Sequence, residues 1–245
     1  MRPYLLLSVV LASAITCTGG EVLQAADTCT DILGLLDMEP VPQEEDTWCF
    51  AASVTAVLTK IGVLDPQSNP PAPYSQCRLY SIGNVQHPGV DCCQQCPTHP
   101  CGVPECKEVG WPDDVFDRLT PRILFRPGGA LNDFALVKAQ ICFENESPRQ
   151  PFIYVAHPSG GIPHTYVVKG FTEHGNGQRG IYVDSHSMLG SNPVGGSFVD
   201  FDCYYAGTCP NAVYYHDGDY LDIHPSVIGP HHFDHPTVLS HDVIR

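Results

Sequence analysis

The chain has 245 residues, 12 cysteines and a formal net charge of −15. That charge repels a phosphate backbone and excludes nucleic acid as a partner. Cysteine at this density is foreign to a cytosolic enzyme unless it binds metal, and it points to an oxidising compartment where disulfides persist.

Residues 1–26 read as a secretory signal. Arg2 gives a positive start, residues 4–16 form an apolar core too short to span a bilayer, and Ala25-Ala26 offers small residues for cleavage. A lipoprotein reading at Cys17 meets a poor lipobox in Ala14-Ile15-Thr16. No other stretch is apolar for long enough to span, so no membrane association is expected after cleavage, and the chain is expected to act as a monomer. About 220 residues then remain, which suits one domain or two lobes.

Residues 43–62, QEEDTWCFAASVTAVLTKIG, carry the strongest local signal. Val54, Val57, Leu58 and Ile61 recur at helical spacing, and Gly62 is the expected stop. Glu44, Glu45, Asp46 and Thr47 suit a helix entry, where acidic and capping side chains meet unpaired N–H groups. Cys49 therefore sits at a helix start, whose positive end favours thiolate and lowers a thiol pKa. Gln43, six residues upstream, is placed to donate an amide hydrogen to an oxyanion. The bland alternative for Cys49 is half of a disulfide.

A loop rich in Pro, Asn and Ser follows at 62–73, then a second helix is expected over 76–84. Residues 86–110 hold Cys92, Cys93, Cys96, Cys101 and Cys106 with His87 and His99. The Cys93-x-x-Cys96 spacing is ligand-like, but no second pair accompanies it, and disulfides are expected in place of metal. Pro112 opens a short helix and residues 131–141 a longer one. Strands are expected at 152–156, 165–168 and 181–184, with further strands around Tyr204-Tyr205, 213–215 and Tyr220. Asn145 begins a glycosylation sequon, and Cys203 and Cys209 stand close enough in sequence for a local bridge. The tail from 226 to 245 is rich in histidine; its HHFDH run at 231–235 has a metal-binding reading and the more ordinary reading of a solvated tail.

Two residues complete a chemical set with Cys49. His164 follows the Gly160-Gly161 turn at the start of a strand, and Asp184 ends the next one. Nucleophile, base and orienting carboxylate are the three roles of nucleophilic catalysis. Parity agrees: removing Cys17 with the signal and setting Cys49 aside leaves ten cysteines, enough for five bridges. Helices first and strands later imply an α+β chain.

The order Gln43, Cys49, His164, Asp184, the run Trp48-Cys49-Phe50-Ala51-Ala52, and the segments PHTYVVKGF at 163–171 and IYVDSH at 181–186 resemble the papain-like cysteine peptidases of clan CA. Among these the chain is most similar to the bacterial staphopain, AvrRpt2-type and C39-like groups. It departs from the CGSCW form of plant and animal members, and Asp184 stands where papain has Asn. The resemblance covers roughly residues 40–220. It implies a two-lobed papain-like fold over 27–225, with a helical lobe to about 130 and an antiparallel β-barrel-like lobe from about 131. It also implies a secreted endopeptidase with a peptide or protein substrate and no cofactor or metal. Residues 29–41 are too few for the long inhibitory pro-segment of many such enzymes. Acyl transfer or deamidation on the same fold, and a non-catalytic disulfide-rich binding module, are the alternatives.

Overall fold

The computed structural model describes residues 33–98, 100–129, 131, 133–142, 150–158, 161–184, 196–206, 208–209 and 212–226, without the side chains of 158, 196, 208–209 and 212–215. The secretory signal, the sequon, the Gly160 half of the turn before His164 and the histidine-rich tail from 227 onward lie outside these residues.

The first long element is α1, Cys49–Lys60. Its apolar positions are spaced to make one buried face, and Val54, Val57 and Leu58 are fully buried. Gly62, at a φ of 76°, turns the chain out of the helix while its N–H bonds the Thr59 carbonyl. The helix entry differs from expectation: Trp48 is the N-cap and no side chain caps the first turn. Glu45 and Trp48 are instead recruited by distant partners, described below.

The shorter helices α2 (Gln76–Gly83), α3 (Cys92–Gln95) and α4 (Pro112–Phe116) follow. Ser75 caps α2 and Asp91 caps α3 by accepting backbone N–H groups. Three disulfides hold this region: Cys77–Cys93, Cys92–Cys106 and Cys96–Cys101. Each closes a loop of 16 residues or fewer, which restricts the unfolded chain.

The remaining elements are α5 (Phe134–Cys142), α6 (Phe201–Ala206) and eight strands. The strands are β1 (Leu33–Leu35), β2 (Ile123–Gly128), β3 (Phe152–Pro158), β4 (His164–Glu173), β5 (Arg179–Asp184), β6 (Gly196–Asp200), β7 (Thr208–Cys209) and β8 (Ala212–Pro225). All pairings are antiparallel, in the order β2-β8-β3-β4-β5-β6. β3 covers β4 from His164 to Val168, and β1 takes the same side of β4 from Gly170 to Thr172. Tyr204 and Tyr205, expected in a strand, belong to α6, and one long strand, β8, spans both of the following apolar stretches.

The chain is thus α+β, as its element order implied. The sheet is not a closed barrel: among the described residues no ladder joins edge strand β2 to edge strand β6. One face packs on α1, α2 and α4 through Ile153, Val167 and Ile223. The other packs on α5 and α6 through Phe152, Val168, Phe171, Ile181 and Leu221. Having a helical layer on each face, the sheet buries both sides without curling shut.

Candidate active site

The N-terminus of α1 meets the beginning of β4. Cys49 is buried, and among the described residues it is the one cysteine not in a disulfide. Its Sγ lies 3.9 Å from the Pro163 carbonyl oxygen, to which the thiol donates. It also receives hydrogen bonds from the backbone and the side chain of Thr165. The sulfur is therefore held between the two residues that flank His164.

Burial pushes the Cys49 thiol up from its ordinary pKa. Hydrogen bonds from Thr165, from the Phe50 N–H and from the cysteine's own N–H pull the other way, and burial wins. This reverses the expectation of a thiolate favoured by the helix start. The helix donors are present, but a sulfur this deeply enclosed loses more hydration than they return.

His164 pairs across the sheet with Ala156, and its ring lies 4.6 Å from that of Tyr166. Asp184, the last residue of β5, pairs with Val167, three residues along β4 from His164. Its carboxylate is buried; Oδ1 accepts from Lys169 Nζ at 2.6 Å. Asp184 Oδ2 is also buried and has no hydrogen-bond donor among the described residues. Alternation along the strand puts Asp184, Val167 and Thr165 on the α1 face, where Val167 packs, and His164 with Tyr166 on the other, so the register does not bring the His164 ring to Cys49 and Asp184.

Gln43 is buried, and its Nε2 donates to the Glu45 carbonyl. That carbonyl also accepts from the Trp48 N–H at 3.0 Å. The Glu45 carboxylate accepts from the Cys101 N–H, and Trp48 Nε1 donates to the Cys106 carbonyl at 2.8 Å. Gln76 clamps the same loop, donating to the Pro42 carbonyl at 2.6 Å and accepting from the Glu44 N–H at 3.0 Å. The entry to α1 is thus fixed by the disulfide-linked region, which explains why its acidic residues do not cap the helix.

Ser53, Thr165, Lys169 and Gln76 are site neighbours that sequence reasoning missed. Ser53 Oγ donates to Thr165 Oγ1 at 3.0 Å, across 112 residues of chain. A signal existed for Ser53, since i+4 on a helix lies on the same face as Cys49. For Lys169 the signal was a lone cation in an apolar strand pattern. Of the possible metal ligands, Cys96, Cys101 and Cys106 bring their sulfurs within 4.8 Å of one another. All three are consumed by disulfides, and Cys93 of the Cys93-x-x-Cys96 pattern is bridged to Cys77. Cys142 and Cys203 are also disulfide-bonded. The side chain of Cys209 lies outside the described residues.

No protein-family model matches the sequence, and no curated protein matches it. Among solved structures, the recombinant stem bromelain precursor matches with a TM-score of 0.42 and 11% identity, over 71% of this chain. The chain spans 63% of that precursor's length. The bromelain protease from Ananas comosus in complex with the E64 inhibitor matches with a TM-score of 0.41 and 12% identity, over 75% of this chain and 93% of that one. At these scores the likeness carries no argument, and the functional reading rests on the site itself.

Proposed function

We propose that this protein is a papain-like cysteine endopeptidase that acts outside the cytoplasm. The observation that carries the reading is a free, buried Cys49 at the start of α1, with its sulfur 3.9 Å from the carbonyl of the residue preceding His164. In a chain whose other described cysteines are bridged, a single thiol held against the start of the strand that carries His164 supports chemistry more than architecture. The bridges also support an oxidising compartment, and no described helix is long and apolar enough to cross a membrane.

In this reading the Cys49 sulfur attacks the scissile carbonyl carbon. His164, whose ring lies on the Tyr166 side of β4, would turn to take the thiol proton and return it to the leaving amine, and water would then hydrolyse the thioester. Because burial favours the neutral thiol, the base has work to do during the attack. Asp184 would use its unpartnered Oδ2 to accept an imidazole N–H and orient the ring. Gln43 would turn one amide hydrogen to the oxyanion, since its Nε2 carries two and the Glu45 carbonyl takes one. The resemblance to bacterial papain-like groups and the two-lobed division belong to the same proposal.

The test is alkylation of the unreduced protein by iodoacetamide, followed by peptide hydrolysis. Labelling is expected at Cys49, and Cys49→Ala is expected to abolish both labelling there and hydrolysis. A mass spectrum placing Cys49 in a disulfide would overturn the reading and favour a binding module.

A further inference from the structure

The residues that surround the Cys49 sulfur form a hydroxyl chain that the catalytic set does not include. Ser53 stands one turn beyond Cys49 on α1, fully buried, and donates its hydroxyl to Thr165 Oγ1 at 3.0 Å. Thr165 is also buried, with its side chain on the α1 face of β4. Once Thr165 Oγ1 accepts from Ser53, its own proton is free to donate, and its side chain is hydrogen-bonded to the Cys49 thiol.

We propose that Ser53 and Thr165 form a buried relay, Ser53 Oγ–H to Thr165 Oγ1–H to Cys49 Sγ, that stabilises the sulfur anion when the thiol gives up its proton. The inference deepens the peptidase reading and rests on it for its role in turnover. Chained hydroxyls polarise one another, so the donor nearest the sulfur is strengthened by the one behind it. Hydrogen bonds to a charged acceptor are worth more than those to a neutral one, and a dry site strengthens them further. The relay therefore acts on the thiolate and on the sulfur as it expels the product, more than on the resting thiol. Thr165 touches the reacting atom; Ser53 acts through Thr165 and is a positioning residue. The arrangement also offsets the burial that pushes Cys49 up. Every variant keeps the charged and titratable groups of α1 and of the strands around Thr165: Lys60 on α1, His157 on β3, His164, Lys169 and Glu173 on β4, and Arg179 and Asp184 on β5.

The experiment is the pH dependence of iodoacetamide alkylation at Cys49 in the full chain, for wild type, Thr165→Val, Thr165→Ser and Ser53→Ala. Valine keeps the shape of threonine and removes the donor. Thr165→Val is expected to raise the alkylation midpoint by about one pH unit, a tenfold fall in thiolate at a fixed pH below it. Thr165→Ser is expected to restore the wild-type midpoint, and Ser53→Ala to raise it by less than Thr165→Val. An unmoved midpoint in folded Thr165→Val overturns the relay. Should that variant not fold, an unmoved midpoint in Ser53→Ala overturns it equally. Alkylation needs no peptide turnover, so a midpoint that shifts in a protein without hydrolytic activity would leave the relay standing and remove the peptidase reading.

Discussion

At the residue scale, the ion pair between Lys169 and Asp184 sets the terms for any change at the proposed orienting carboxylate. Both side chains are buried, and the 2.6 Å contact compensates two charges that have lost their water. Removing one partner leaves the other buried and unpaired, which typically costs about 3–5 kcal/mol. Asp184→Ala is therefore expected to lose about that much stability in urea unfolding. The double change Lys169→Met with Asp184→Asn removes both charges together and is expected to recover most of the loss. If Asp184 also orients His164, the double variant keeps more hydrolytic activity than Asp184→Ala, since an Asn oxygen still accepts an N–H. An Asp184→Ala protein as stable as wild type would show that the pair is not desolvated as its burial implies.

At the element scale, β4 carries the site and is held on both sides. β3 pairs with it from His164 to Val168 and β5 from Val167 to Glu173, and β1 replaces β3 beyond Val168. Gly170 is where β1 crosses closest. A Cβ built there would stand 2.5 Å from the Gly34 carbonyl oxygen and 3.2 Å from the Leu35 Cα. Those are backbone atoms that cannot rotate aside, so Gly170→Ala must push β1 away. The change is expected to cost about 1–3 kcal/mol, the usual range for overpacking. Amide exchange should accelerate at Leu36, whose N–H bonds the Lys169 carbonyl at 2.8 Å, while the β3–β4 amides stay protected. Unchanged protection at Leu36 would mean that β1 accommodates the methyl without moving.

At the scale of the whole molecule, the buried Tyr80 and Tyr204 and the half-buried Tyr220 tie separate layers together and predict how the fold fails in alkali. Tyr80 packs on Trp48 and Phe50 and donates to the Glu108 carbonyl at 2.9 Å. Burial raises it from the ordinary tyrosine value of 10.0 to about 12. Tyr204 and Tyr220 are raised further, chiefly by burial, then by the charges of Asp219 and Asp113, to which their hydroxyls donate. The unfolded chain releases these phenolic protons from about pH 10, whereas the folded chain retains them. Their contribution is therefore complete below about pH 10 and is lost as pH rises above it, with the Tyr80 share exhausted beyond about pH 12. In a titration monitored by phenolate absorbance and circular dichroism, the last tyrosines are expected to ionise together with loss of structure. Ionisation of every tyrosine near pH 10 with the fold intact would contradict this.

The sequence by itself determined what depends on near neighbours. The helical spacing of Val54, Val57 and Leu58, the stop at Gly62 and the apolar runs of β3, β4 and β5 were legible, because side-chain periodicity is a local property. So was the singular Cys49, because parity is counted and needs no coordinates. Tyr204 was misread as strand because its aromatic neighbours fit either element, and only packing against Phe201 and Tyr154 selected α6. Tertiary structure alone decided the thiol's state, since burial depends on what covers the helix start. It alone decided that the sheet stays open, since both of its faces found helices. It alone brought Ser53 to Thr165 and Lys169 to Asp184: the first contact follows from the packing of α1 on the sheet and the second from the register of β4 and β5, neither of which is a local property of the sequence.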